Sequence, residues 1–185
     1  GNIRGWGGPL DDDWMEGQRE LQAAVVARQL ELGMIPVLPA FAGHVPAELA
    51  RLFPTHSFEQ NSPWGGFSAN YTDDYLLDPL DPLFQTVGKQ FLEALLQGLN
   101  LSTADVSDAG FNADTFNEME PRSSNLSYLA ACNRAIYESI AQVLPNATFV
   151  MQAWLFHESF WTPQRTQAYL SSVPDQGMVL LDLNT

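Results

Sequence analysis

Residues 112–121 read NADTFNEMEP, the end of an apolar-rich run from Gly110 that closes on an amide and a carboxylate side by side, Asn117 and Glu118. Pro121 follows and stops regular structure, so the pair falls at the tip of an element. A carboxyl held near apolar side chains can have a raised pKa and donate a proton, whereas a glutamate at a loop start can equally be a solvated or salt-bridged surface group. Spacing alone leaves both readings open. Other chemistry is poorly supported. His44, His56 and His157 show no HExxH spacing, and the lone Cys132 lies among Ala130, Ala131 and Ala135. A buried structural thiol fits that setting, and neither a disulfide framework nor a CxxC metal site can be built.

The elements that must position Asn117 and Glu118 follow from the punctuation. Asp12 or Asp13 caps a helix with Leu21, Ala24, Val25, Ala27 and Leu30 on its apolar face, ending at Gly33, and a strand is expected over 34–38. A long connection comes next, with a short helix over 46–53 and the loop SPWGGFSANY. It leads to a helix begun by Pro82, whose apolar face is Leu83, Val87, Phe91, Leu95 and Leu99. The second strand spans 110–116 and is followed by a helix over 126–144. The third strand covers 148–154, Thr162-Pro163 opens a further helix, and the fourth strand covers 178–183.

Four near-continuous apolar strands separated by helices indicate an α/β fold with parallel strands buried on both faces. Neither GxGxxG nor GxxxxGK[ST] occurs, which weakens a doubly wound nucleotide-binding fold. The alternative is part of a (β/α)8 TIM-type barrel, which needs about 250 residues and places its chemistry at the C-terminal ends of the strands. In that frame the strand ends contribute Phe41 and His44, then Asn117-Glu118, then Trp154, then Leu183-Asn184, with Trp64 in the PWGGF loop. One carboxyl, an amide and several aromatics on one rim suit a sugar: rings stack on its apolar faces, the amide meets a hydroxyl or acetamido group, and the carboxyl protonates a glycosidic oxygen. Trp64 and Trp154 also fit a packing role. His44 can cap the following helix instead, and Asp114 reads as a hydrogen-bonded structural residue.

Composition sets the limits. The chain of 185 residues is 45% hydrophobic, 11% aromatic and 16% charged, which suits a globular core, and its net charge of −14 argues against nucleic acid or an anionic membrane surface as partner. No transmembrane stretch or signal peptide is evident. Asn-x-Ser/Thr sequons occur at Asn70, Asn100, Asn125 and Asn146, where roughly one would arise by chance, and this favours glycosylation on a secretory route. Both ends read as interior to a longer polypeptide.

Three stretches carry a resemblance: GNIRGWGGPL at the start, GMIPVLPAFAGHVP from Gly33 and ADTFNEMEP from Ala113. With SPWGGF, SSNLSYLAA, QAWLF and LLDL in the same order, the chain resembles the α-N-acetylglucosaminidase family of glycoside hydrolases along its whole length. That family includes a lysosomal enzyme that removes terminal α-linked N-acetylglucosamine from heparan sulfate, with plant and bacterial relatives. The resemblance implies that residues 1–185 are a central fragment of the catalytic barrel, with further barrel strands and other domains elsewhere. It implies Glu118 as acid/base, Asn117 in the sugar site, Trp64, Trp154 and Leu183 lining the pocket, and Trp6 as a lesser candidate, while His44 is a substrate-binding candidate from its strand-end position.

The resemblance also implies retaining hydrolysis without a cofactor, which needs two carboxyl groups roughly 5 Å apart, and the residues themselves offer no convincing metal cluster. The family's nucleophile is a second glutamate on a later strand, downstream of Leu183. Glu120 shares a loop with Glu118 and is poorly placed to reach the opposite face of the ring, so this segment alone is expected to be inactive. The segments LDDDW and Met119-Glu120 depart from the animal enzymes and bear on substrate detail. A secretory, lysosomal or vacuolar, or extracellular setting follows, with a glycan ending in α-GlcNAc as partner and a homo-oligomer allowed for in the full-length enzyme. A truncated, non-catalytic sugar-binding module is the alternative from a different class.

Overall fold

The computed structural model describes residues 11–61, 67–68, 74–117 and 119–182. Its first helix, α1 (Asp12–Glu31), is capped by Asp11, whose carboxylate accepts from the Asp13 amide. The cap is thus one residue before the pair expected from sequence. Among its side chains only Val26 is buried, with Ala23 and Leu30 packed beside it, while Leu21 and Val25 stay exposed. Of the expected stripe only Leu30 packs on the core, and Leu21, Ala24, Val25 and Ala27 are exposed. Arg19 reaches across to the last carbonyl of a later helix, Gly98 O, at 2.5 Å.

Among the described residues, seven short strands make two sheets. The strands β1 (Val37–Pro39), β5 (Gly110–Asn112), β6 (Thr148–Gln152) and β7 (Met178–Leu181) lie parallel in the order β1-β5-β6-β7. This is the four-stranded parallel sheet expected from sequence, though each strand is shorter. A second, antiparallel sheet in the order β2-β4-β3 is built from β2 (His44–Pro46), β3 (Phe58–Gln60) and β4 (Asp74–Leu77). The sequence reads there as a long connection, because strands of three or four residues broken by Pro and Gly show too little alternation to register.

The helices between the parallel strands are α2 (Ala47–Leu52), α3 (Pro82–Gly98), α4 (Leu126–Ala141) and α5 (Pro163–Leu170), with a 3-10 turn at Trp154–His157. Asp81 caps α3 with Pro82 in its first turn, Asn125 caps α4 through the Ser127 and Tyr128 amides, and Thr162 caps α5. Along α3 the buried positions are Phe84, Gly88, Leu92 and Leu96, one residue on from the centre of the expected stripe, of which Leu99 is buried, Leu83, Val87 and Leu95 pack against the core and Phe91 is exposed.

Register places Leu38, Phe111, Phe149 and Met178 in one row across the parallel sheet. That row joins Leu92, Leu96, Leu129, Ile136 and Ile140 from the helices in a single core. The alternate positions, Val37, Gly110, Asn112, Val150, Val179 and Leu181, face the other way. A Cβ on Gly110 would stand 2.8 Å from Val150 Cγ2 and 3.0 Å from Val37 Cγ2, so only glycine lets the neighbouring valines close over that strand.

A candidate active-site rim at the strand ends

The C-terminal ends of β1, β5, β6 and β7 are laced together edge to edge. The Ala40 amide donates to Asn112 O at 2.7 Å, and the Ala153 amide to Leu181 O at 3.0 Å. Between β5 and β6 the bridge is Asp114: one carboxylate oxygen accepts from the Gln152 amide at 2.9 Å and the other from Asn112 Nδ2 at 2.9 Å. This is the structural role expected of Asp114.

Strand β5 ends at Asn112 rather than at residue 116, a correction that changes how Asn117 is presented. After a last backbone bond to β6, from the Ala113 amide to Val150 O at 3.3 Å, the chain turns, and the Asn117 amide closes onto Asp114 O at 3.3 Å. Asn117 is exposed on that turn. Just before it, Phe116 is 2% exposed and sits in an aromatic nest, 6.5 Å from Trp161 and 6.1 Å from Tyr169, with Trp161 and Tyr169 5.1 Å apart. A buried ring next to an exposed amide fixes which way the turn faces. Trp161 is therefore core, whereas Trp14 is on the surface of α1.

His44, at the start of β2, brings the antiparallel sheet onto the same turn. Its Nε2 lies 3.1 Å from Thr115 O, and because a carbonyl only accepts, Nε2 carries the proton. Nδ1 then accepts from Asn61 Nδ2 at 3.3 Å, which in turn donates to Asp74 Oδ1 at 3.1 Å. The ring does not cap α2, whose N-cap is Pro46 with no side-chain bond. Trp154 lies past the end of β6, which stops at Gln152, and opens the 3-10 turn half-buried. Thus Asn117, His44 and Trp154 come to one end of the sheet. Trp6, Trp64, Asn70, Glu118 and Leu183 lie outside the described residues. The sequons at Asn100, Asn125 and Asn146 are exposed.

The carboxylates near this end are held by built partners. Asp81 is partly desolvated, which raises its pKa, but bonds from the Ser57 amide, His56 Nδ1 and the Leu83 amide outweigh that and hold it below the usual aspartate range. Asp78, 6% exposed, pairs with Arg122, whose other arm donates to Ser57 Oγ at 3.1 Å. Arg122 also lies over the Tyr128 ring, 5.3 Å from its centre. Sequence reasoning missed both Asp78 and Arg122; the signal was one lone cation four residues after Glu118. Burial pushes the Cys132 thiol up to about 12, consistent with an inert core thiol. Among the described residues no group of three or more His, Cys, Asp or Glu side chains could hold a metal ion, and no helix is long and apolar enough to cross a membrane.

A barrel-type rim assembled from parallel strand ends is compatible with many chemistries. The profile of the alpha-N-acetylglucosaminidase (NAGLU) tim-barrel domain matches residues 1–185. The chain belongs to the alpha-N-acetylglucosaminidase family. Human alpha-N-acetylglucosaminidase is 41% identical over 185 residues, an alignment that takes in 99% of this chain and 24% of that protein. The chain therefore spans about a quarter of the length of this relative of the alpha-N-acetylglucosaminidase family. Among solved structures, the family 89 glycoside hydrolase from Clostridium perfringens in complex with 2-acetamido-1,2-dideoxynojirimycin superposes with a TM-score of 0.78 at 23% identity, over 99% of this chain and 19% of that one. The same bacterial enzyme with two glutamates changed to glutamine, in complex with its substrate GlcNAc-α-1,4-galactose, matches with a TM-score of 0.78 at 22% identity. These likenesses establish the fold: part of a TIM barrel.

Proposed function

We propose that residues 1–185 are a central part of the catalytic barrel of a longer α-N-acetylglucosaminidase, one that removes terminal non-reducing α-linked N-acetylglucosamine from heparan-sulfate-type glycans with retention of configuration. The observation that carries this reading is the rim position of Asn117, next in sequence to Glu118, in a chain whose whole length matches the family. The substrate complex of the bacterial relative, trapped with two glutamates made glutamine, supports a reaction run by two carboxyl groups.

In this reading Glu118 gives its proton to the glycosidic oxygen while a second carboxylate, on a strand beyond Thr185, attacks the anomeric carbon and breaks the bond to the leaving sugar. Glu118, now a carboxylate, then takes a proton from the water that attacks the same carbon and frees the nucleophile. Asn117 binds the sugar, Trp64, Trp154 and Leu183 line the pocket, Trp6 adds to its wall, and His44 serves the site through the Thr115 carbonyl that it holds. No cofactor is required. Glycans on Asn70, Asn100, Asn125 and Asn146 and a secretory, lysosomal or vacuolar location accompany this assignment, and the assembled enzyme can form a homo-oligomer.

Leaving-group dependence tests the acid. In the full-length enzyme Glu118→Gln should abolish most turnover of an α-GlcNAc disaccharide yet leave the first step on an activated aryl α-N-acetylglucosaminide much less affected, because only the former needs protonation. Equal losses on both substrates would remove Glu118 from the acid role.

A further inference from the structure

The loop from residue 113 to 125 joins β5 to α4 and carries Asn117 and, next in sequence, Glu118. Its first half is fastened at three points already described: Asp114 to the Gln152 amide, Thr115 O to His44, and the Phe116 ring in the aromatic nest. Its second half has one strong polar anchor among the described residues, and the anchor comes from outside the parallel sheet. Arg122 pairs with Asp78 and donates to Ser57, both in the segment that carries β3, β4 and the start of α3.

The chemistry of this anchor is specific. Asp78 is nearly closed off from water, and its other oxygen already accepts the Leu80 amide at 2.9 Å, so it forms the first turn after β4 around a carboxylate that needs a cation. The Asp78 amide donates to Ser57 O at 3.0 Å, so the two groups gripped by Arg122 are themselves one unit. A planar guanidinium can bridge a carboxylate and a hydroxyl while lying on the Tyr128 ring; an ammonium cannot do all three. Tyr128 stands in the first turn of α4, one turn before the buried Cys132. Pro121, buried beside Arg122, removes backbone freedom from the same stretch.

We propose that Arg122, held by Asp78, is a positioning residue that clamps the far side of the acid-bearing loop and so sets the reach of the acid toward the glycosidic oxygen. The inference rests on the acid role assigned to Glu118 above. It adds a device linking the antiparallel β2-β4-β3 subdomain to catalysis: the subdomain holds the loop from both sides, through His44 at Thr115 and through Asp78 at Arg122.

The test uses the full-length enzyme with wild type, Arg122→Gln, Asp78→Asn, Arg122→Lys and Glu118→Gln, each assayed on an α-GlcNAc disaccharide and on an activated aryl glycoside, with melting temperatures recorded. Misplacing a catalytic group by about 1 Å can cost on the order of a hundredfold, so Arg122→Gln and Asp78→Asn should lower kcat on the disaccharide by roughly ten- to a hundredfold. KM on that substrate should hold, and the aryl glycoside should change far less. Arg122→Lys should recover part of the loss. In the Glu118→Gln background, Arg122→Gln should add almost nothing, because the group it positions is gone. Losses of equal size on both substrates, or an undiminished effect of Arg122→Gln without Glu118, would overturn the clamp and leave only a stabilising ion pair. Should a variant fold poorly, the lysine variant carries the same comparison. An unselective Glu118→Gln would overturn the acid reading itself and the clamp with it.

Discussion

Asp81 shows how a single side chain ties local structure to the conditions of the protein. It caps α3, accepts from the Ser57 amide at 2.7 Å and pairs with His56 Nδ1 at 2.7 Å, and these bonds hold its pKa below the ordinary value despite partial burial. A depressed folded pKa means that the carboxylate's contribution to stability is complete above the unfolded aspartate value of about 4 and is lost as pH falls through the lower folded value. Asp81→Ala in the full-length enzyme should cost about 1 kcal/mol or more near neutrality. The gap in melting temperature from wild type should stay level from pH 7 to pH 5 and shrink below about pH 4. A gap that widens in acid would contradict the assignment. At this scale the sequence was informative where chemistry is local: Asp114 as a structural acid, Cys132 as a core thiol, Thr162 as a cap. It was silent on Arg122 and Asp78, which lie 44 positions apart and meet only through the fold.

At the scale of elements, the parallel strands and helices were legible because each carries its own hydrophobic run and its own stop. The shifts of face in α1 and α3 have a common cause. Both helices have apolar residues on more than one side, as Leu21 and Val25 outside and Val26 inside show in α1, and only packing decides which stripe is covered. The three- and four-residue strands of the β2-β4-β3 sheet are set by pairing partners distant in sequence, so no local pattern announces them. Within the parallel sheet the decisive element is β5, whose glycine lets Val37 and Val150 approach across it. Gly110→Ala should push those valines apart and lower stability by about 1–3 kcal/mol, measured by denaturant unfolding of the full-length enzyme. Because the displaced strand leads straight into the loop of Asn117, activity should fall along with stability; an unchanged unfolding midpoint would show that the sheet relaxes freely at this point.

For the whole molecule, the two faces of the parallel sheet are covered unequally. The row through Leu38, Phe111 and Phe149 is buried against helices, whereas on the opposite face Val150 is buried but Val37 is 56%, Val179 47% and Leu181 42% exposed. β1 and β7 stand at the two ends of the strand order. An apolar face with open strand edges is an aggregation hazard unless further strands cover it, which is what the proposed remainder of the barrel would do. Residues 1–185 produced alone are predicted to associate and to melt without cooperativity, by gel filtration and calorimetry; a monodisperse segment with a sharp transition would contradict this. The barrel architecture could be read from strand count and loop content, and the family from long motifs. The proposed division of the site between this segment and a remainder could not be read from composition or periodicity, because barrel strands distant in sequence share one rim.

The most direct measurement of the central claim, that Glu118 is the acid/base of a retaining glycosidase, is product analysis of full-length Glu118→Ala on an activated aryl α-N-acetylglucosaminide with azide present. If Glu118 is the acid/base, azide attacks the glycosyl-enzyme that the distant nucleophile still forms. Two inversions then give the α-glycosyl azide, with turnover restored as azide is added. A β-glycosyl azide would mean that azide had replaced the nucleophile itself, and no azide product at any concentration would mean that Glu118 does not serve the second step; either result would contradict the account.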